Sequence, residues 1–221
     1  MGSHTSSSGR RVNLRVVAAL ACALSAIVIA ALLLRIESTW TPAQPAPSLT
    51  QPSDLVSLVD QANEPFSLQQ LKGRTLVVTF IFTHCQTSCP LQVQALTRVQ
   101  RALSPELSKR TQFVSFSIDP ERDTPAVLAQ YAAVMGARTD NWSFVTGHPQ
   151  ELTWLHQHYG AQVKRLSGDQ LDHRVAVYLV DANGELAQKY TGDLDPARLA
   201  SEIADVDRLY NQSHQERAQV R

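Results

Sequence analysis

The run Thr75-Leu-Val-Val-Thr-Phe-Ile-Phe82 constrains this chain more than any other stretch. It is rich in β-branched and aromatic residues and lacks the polar–apolar alternation of a half-exposed strand. That is the pattern of a central strand buried on both faces. Such a strand needs a covering layer on each side, so the domain is expected to be α/β. The same run leads directly into Thr83-His84-Cys85-Gln86-Thr87-Ser88-Cys89-Pro90. The sheet therefore delivers two cysteines to its edge.

Period and punctuation extend this reading along the chain. Leu55–Asp60 alternates like a short strand, and Phe66–Leu71 with Gly73 reads as a turn-rich segment. Pro90–Leu103 predicts a helix with Pro90 at its first position and Leu91, Ala95, Leu96, Val99 and Leu103 on one face. Gln112–Ile118 is a strand. Thr124 then caps a helix that opens with Pro125 and ends at Gly136. Trp142–Val145 is a strand, Pro149–Tyr159 a helix closed by Gly160, and Val175–Val180 another apolar strand. Asn183-Gly184 signals a hairpin into Glu185–Tyr190. Asp195 caps a last helix that opens with Pro196 and runs to about Tyr210, and residues 211–221 read as a frayed polar tail. This order is the layout of a thioredoxin-like domain over 53–210, with a central mixed sheet and helices on both faces.

The N-terminal part is different in kind. Val16–Leu34 is nineteen residues without a charge, and about 20 apolar residues span the hydrocarbon core as a helix. Arg10, Arg11 and Arg15 precede it, so residues 1–15 are expected in the cytoplasm and the C-terminal domain outside. The run ends Leu-Leu-Leu-Arg-Ile, unlike the small residues of a cleavage site, which predicts an uncleaved anchor over 16–36. Cys22 within it is expected to be a small lipid-facing residue. Residues 37–52 hold Pro42, Pro45, Pro47 and Pro52 and form a semi-rigid tether that can reach on the order of 50 Å. With no long organellar targeting region before the anchor, a bacterial inner membrane is expected, with the domain in the periplasm.

Charge narrows the function classes. Twenty basic and twenty acidic side chains cancel, and the chain beyond residue 52 is mildly acidic. No basic field invites nucleic acid.

Cys85 and Cys89 are the only cysteines beyond the apolar run. One pair is too few for a disulfide-stapled scaffold, and a close pair after a strand more often serves redox or metal chemistry. With Pro90 opening the helix, Cys89 is expected at the N-cap and Cys85 on the preceding loop. The free N–H groups and positive end of the helix would then favour thiolate. Two soft sulfurs suit Cu(I), whereas Zn(II) in a structural site takes four protein ligands. The pair alone leaves a redox site and a metal site both open.

Among the seven histidines, His4 and His214 lie in tails, His148 lies in a loop, and His84 adjoins the pair. His156 and His158, two apart on a helix, are expected on solvated surface. His173 stands in Asp172-His173-Arg174, in the loop before strand Val175–Val180. In a thioredoxin-like fold that loop lies against the cysteines, and oxidoreductases of the fold carry a cis-proline there. No proline occurs between Pro149 and Pro196. A histidine stands near the site instead, a candidate third ligand.

Three blocks together resemble the Sco/SenC family of membrane-tethered thioredoxin-fold copper proteins. They are Phe82-Thr83-His84-Cys85-x-x-x-Cys89-Pro90, Ser117-Ile118-Asp119-Pro120-Glu121-Arg122-Asp123-Thr124-Pro125, and Asp172-His173 with Tyr178-Leu179-Val180-Asp181. The resemblance implies Cys85, Cys89 and His173 as ligands of Cu(I) or Cu(II), with Asp172 beside them as a supporting or weak fourth ligand. It implies a metallochaperone more than an enzyme, serving the copper-binding subunit of cytochrome c oxidase, with a copper donor and a thiol reductant as further partners. The alternative is a thiol–disulfide oxidoreductase in which Cys85 and Cys89 cycle as a redox pair and reduce the client's copper-binding cysteines. The chain departs from the common family pattern at Gln86-Thr87 and at Arg174, with the three ligand positions intact. The acids of Asp119–Thr124 are expected to serve a capped helix entry, compensated by Arg122.

Overall fold

The computed structural model describes residues 57–161, 163–165, 171–173 and 176–219, with backbone alone at 163–165 and 171–173. The expected stub, anchor and linker (1–15, 16–36 and 37–52) lie outside the described residues. Among the described residues no helix is long and apolar enough to cross a membrane.

The described residues form seven strands: β1 Thr75–Ile81, β2 Thr111–Ser117, β3 Trp142–Val145, β4 Val163–Arg165, β5 Leu171–His173, β6 Ala176–Val180 and β7 Leu186–Thr191. Five make one mixed sheet in the order β3-β2-β1-β6-β7. β1–β2 and β2–β3 run parallel, while β1–β6 and β6–β7 run antiparallel. β1 is central, and all seven of its residues are buried, as its unbroken apolar run demands. β4 and β5 form a separate two-stranded hairpin.

Among the described residues five α-helices accompany the strands: α1 Ser88–Ala102, α2 Pro105–Arg110, α3 Pro125–Met135, α4 Pro149–His158 and α5 Pro196–Gln219. Successive residues of β1 point to opposite faces and meet different helices. Thr79 Oγ1 donates to Gln92 Oε1 of α1 at 2.7 Å. Phe80, on the other face, meets the ring of His156 on α4 edge-on, with centroids 5.1 Å apart. Phe80 also packs against Phe116, Tyr159 and Tyr178. The sheet is thus covered on both sides, and this aromatic cluster joins β1, β2, β6 and α4.

Several expectations hold and several are corrected. Thr124 caps α3, its hydroxyl accepting from Val127 N–H, and Gly136 closes the helix at φ 69°, a conformation that suits glycine. α1 begins at Ser88, two residues before Pro90. The first turn has no intrahelical acceptors for its N–H groups, so a proline at its third position forfeits nothing. Leu91 is 67% exposed rather than part of the core face. That face is Cys89, Val93, Ala95, Leu96 and Val99, with the polar Gln92, Thr97 and Gln100. Val59 makes isolated bridges to Pro65 and Thr146 instead of a regular strand. α5 continues to Gln219, so 211–219 is helical rather than frayed. Asn211 supports the extension, its Nδ2 donating to Asp207 O at 2.8 Å. His156 is buried, with Nε2 3.2 Å from Ser117 O, rather than on solvated surface.

Truncating Phe80 empties the centre of the aromatic cluster. Phe80→Ala should cost ~3–5 kcal/mol, whereas Leu91→Ala should stay within ~0.5 kcal/mol. Urea unfolding followed by circular dichroism measures both, and comparable losses would contradict this packing.

Candidate metal and thiol site

The site is built where β1 ends. After Ile81 the chain turns, Cys85 N–H donating to Phe82 O at 3.2 Å. It then enters α1 at Ser88. Thr87 occupies the N-cap position, but its side chain makes no capping hydrogen bond. A sulfur does this instead. Cys89 N–H, in the first turn, donates to Cys85 Sγ at 3.4 Å. Cys89 is therefore the second helical residue and not the N-cap expected from Pro90. The spacing of four is what lets Cys85 reach back over the helix start. The Ser88 hydroxyl lies 3.6 Å from the same sulfur and the Thr87 hydroxyl 3.9 Å.

The two thiols differ electrostatically. Burial works to raise the Cys85 pKa, but hydrogen bonds from the Cys89 and Thr87 backbone, the Ser88 hydroxyl and the Cys89 thiol outweigh it and bring it to about 7. Cys89 is wholly buried. Desolvation pushes its pKa far above the ordinary thiol range, and the nearby Cys85 and Asp123 charges add to the shift. Both cysteines are free thiols in this structure. One half-exposed sulfur that ionises readily thus sits over one buried thiol, at the positive end of α1.

A second chain segment braces the loop. Asp123, just before α3, is wholly buried. Its Oδ1 accepts from Thr83 N–H at 3.1 Å and from Thr83 Oγ1 at 2.6 Å, and its Oδ2 accepts from Ser117 Oγ at 2.6 Å. Burial pushes this carboxyl above the usual carboxylate range, while the bonds from Ser117 and Thr83 act against the shift. Arg122 pairs with Asp119, so part of this block is the compensated helix entry expected. Asp123 is instead turned to the cysteine loop. Sequence reasoning missed it, because nothing in the spacing links residue 123 to residue 83.

His173 reaches this end of the sheet through topology. It lies in β5, opposite Val163, and not in a loop. Because β6 runs antiparallel to β1, the start of β6 lies at the end of β1 that leads to Cys85. The Ala176 carbonyl there accepts from Thr79 Oγ1 at 3.2 Å. Three Cα–Cα steps lead from His173 to Ala176, an extended span of roughly 11 Å at most. The side chains of His173 and Asp172 lie outside the described residues, as does Arg174.

The other histidines among the described residues are accounted for elsewhere. His84 is exposed, with Nδ1 3.3 Å from Thr83 Oγ1. His148 caps α4, Nδ1 accepting from Gln150 N–H. His158 stacks on Trp154. His214, on the C-terminal part of α5, sits 3.2 Å from Tyr210 O.

Two sulfurs, one of them with its pKa lowered to about 7, make a donor set for a soft cation such as Cu(I). Among the described residues no group of three or more His, Cys, Asp and Glu side chains could hold a metal ion. A third donor for a metal at this pair would therefore come from beyond the described side chains.

Iodoacetamide labelling reads the asymmetry directly. Cys85 should alkylate with a midpoint near pH 7, while Cys89 in the folded protein stays unmodified up to about pH 8, where a free thiol begins to ionise. Peptide mapping assigns the label, and equal labelling of both cysteines would contradict the geometry.

Comparison with known proteins places this arrangement. The chain is similar to the SCO1 protein homolog of Bacillus subtilis, 36% identical over 136 residues, which is 60% of this chain and 70% of that protein. It is 30% identical over 148 residues to an SCO2-like protein of Rickettsia felis, covering 64% of this chain and 70% of that one. Among solved structures it resembles BsSco, described as a member of the Sco family of cytochrome c oxidase assembly proteins with a disulfide switch. There the TM-score is 0.62 at 30% identity, over 75% of this chain and 97% of that one. Copper-bound Sco1 from yeast gives a TM-score of 0.60 at 25% identity, over 72% of this chain and 88% of that one. The SCO1/SenC family model matches residues 51–207. A match of that extent, across the whole sheet and the cysteine loop, makes this chain a member of the SCO1/SenC family.

Proposed function

We propose that this protein is a copper metallochaperone that delivers copper to the dinuclear copper centre of cytochrome c oxidase during assembly. Cys85, Cys89 and His173 hold the Cu(I) or Cu(II) cargo. The observation that carries this reading is the Cys89 N–H bond to Cys85 Sγ, which holds a soft, half-exposed sulfur donor at a helix start above a second sulfur. Support comes also from family membership, from a copper-bound relative, and from a relative described as an oxidase assembly protein. The antiparallel β1–β6 pairing supports His173 as the third ligand.

Copper moves by ligand exchange, with no change of oxidation state required. Cys85 is the more accessible sulfur, so a client thiolate approaches the metal from its side and displaces it first. Cys89, wholly buried, is the last sulfur to let go. The uncharged run at 16–34, with Arg10, Arg11 and Arg15 before it, supports an inner-membrane anchor with the domain in the periplasm. Partners in this reading are the copper-binding oxidase subunit, a copper donor and a thiol reductant.

The thiol asymmetry favours a second reading, reduction of the client's copper-binding cysteines. Cys85 thiolate attacks a client disulfide to form a mixed disulfide. Cys89 then displaces the client, which leaves as a dithiol, and a Cys85–Cys89 disulfide remains for an external reductant to reset.

His173→Ala separates the two. It should abolish tight Cu(II) binding, measured by titration and the visible absorption of the complex, and leave disulfide formation by the pair intact. Wild-type Cu(II) affinity and absorption in that variant would overturn the ligand assignment. Efficient disulfide reduction by a wild-type protein that binds no copper would favour the reductase.

A further inference from the structure

The carboxylate of Asp123 has no role in the ligand set, yet it is wholly buried beside the cysteine loop. A buried carboxylate is costly unless its oxygens are hydrogen-bonded. Here each oxygen accepts a short hydroxyl bond, and one also accepts a backbone N–H. Both contacts of Oδ1 come from Thr83, which stands two residues before Cys85. The other oxygen is anchored on Ser117, the last residue of β2. Ser117 is fixed in turn, its Oγ accepting from Asp119 N–H at 2.9 Å. Asp123 N–H donates to Asp119 O at 2.9 Å, which closes the turn. The brace thus runs from the end of β2, through Asp123, to Thr83, and it bridges forty residues of sequence.

We propose that Asp123 is a positioning residue for the cysteine pair. By gripping both the backbone and the hydroxyl of Thr83 it fixes the loop that sets Cys85 Sγ over the first turn of α1. The register between Cys85 Sγ and Cys89 N–H depends on that loop. α1 itself is held separately by its apolar face, so the loop is the adjustable half of the site. Thr83 also places His84. The Thr83 hydroxyl proton is committed to Asp123, so Thr83 Oγ1 can only accept from His84 Nδ1. The assignment rests on Cys85 and Cys89 being the working sulfurs, and it is independent of which cargo they carry.

Charge and geometry are separable here. In Asp123→Asn the amide oxygen can still accept both Thr83 bonds, and the amide N–H can donate to Ser117 Oγ. Asp123→Ala removes all three contacts. Thr83→Val removes only the hydroxyl bond at nearly unchanged shape.

The experiment uses the full-length chain in detergent, with Cys22→Ser so that only the pair reports. Cu(I) affinity is measured by competition with a chromogenic chelator, together with the absorption spectrum of the Cu(II) form. Outer residues that orient a metal site typically contribute 10–100-fold in affinity, so Asp123→Ala should weaken Cu(I) binding by about 10-fold or more and shift the Cu(II) absorption. Asp123→Asn should lie nearer wild type than Asp123→Ala in both readouts. Unchanged affinity and spectrum in a folded Asp123→Ala protein would overturn the proposal. So would an Asp123→Asn protein as impaired as Asp123→Ala, because charge and not geometry would then be at work. If Asp123→Ala fails to fold, Thr83→Val carries the test, and wild-type affinity and spectrum in that variant would overturn it.

A metal-independent arm separates this proposal from the copper reading. In glutathione buffers two protein thiols and one glutathione disulfide give one protein disulfide and two glutathione thiols. The effective molarity of the pair, read from that equilibrium, should fall by about 10-fold in Asp123→Ala through lost orientation. A wild-type protein that binds no copper refutes the chaperone reading alone, and this arm then decides on Asp123. An effective molarity equal to wild type there would overturn it.

Discussion

Everything distinctive in this molecule depends on one hydrogen bond, from the backbone N–H of Cys89 to the sulfur of Cys85. A helix start offers N–H groups that its own backbone cannot satisfy. Most helices meet that need with an oxygen from a serine, threonine, aspartate or asparagine at the N-cap. Here Thr87 occupies the N-cap but leaves its side chain uncommitted to that task, and a sulfur two residues earlier takes the bond. The helix end is stabilised, and the sulfur gains a charge-stabilising donor. The capping bond is thus also one of the bonds that favour the Cys85 thiolate, beside those from the Thr87 backbone and the Ser88 hydroxyl.

The rest of the fold can be understood as what holds that bond in place. β1 is buried along its whole length and fixes where the loop begins. The apolar face of α1 fixes where it ends. Asp123 ties the middle of the loop to the end of β2. On the far face, Phe80 and the rings around it lock β1 to α4 and β6. Since β6 is antiparallel to β1, the hairpin that carries His173 feeds into the sheet at the cysteine end. A parallel β6 would begin at the opposite end of β1.

Strong periodic signals were legible from sequence, and short or long-range ones were not. The continuous apolar run of β1, the Thr124-Pro125 start of α3 and the strand Trp142–Val145 all carry their physics locally. Pro90 misled by two residues, because proline is tolerated anywhere in a first turn whose N–H groups lack partners. α2 was missed although Ser104-Pro105 carries a clear start signal, and Ser104 does cap it through Leu107 N–H. Six residues show too little period. The hairpin β4–β5 has three residues a side and no strand-length pattern. His156 was misplaced because a polar residue on a short helix looks solvated. Its burial comes from Phe80 and Ser117, both distant in sequence. In the site, Cys85 and Cys89 were legible as a pair, but their inequality was not. It arises from burial, which sequence spacing does not encode. Asp123 shows the same limit, because its partner Thr83 is forty residues away.

X-ray absorption at the copper K edge of the copper-loaded, full-length protein tests the central claim most directly. Two sulfur scatterers and one imidazole nitrogen around a single copper ion are the expected first shell. A shell of oxygen and nitrogen donors without sulfur would show that the helix-capped cysteine pair does not hold the metal.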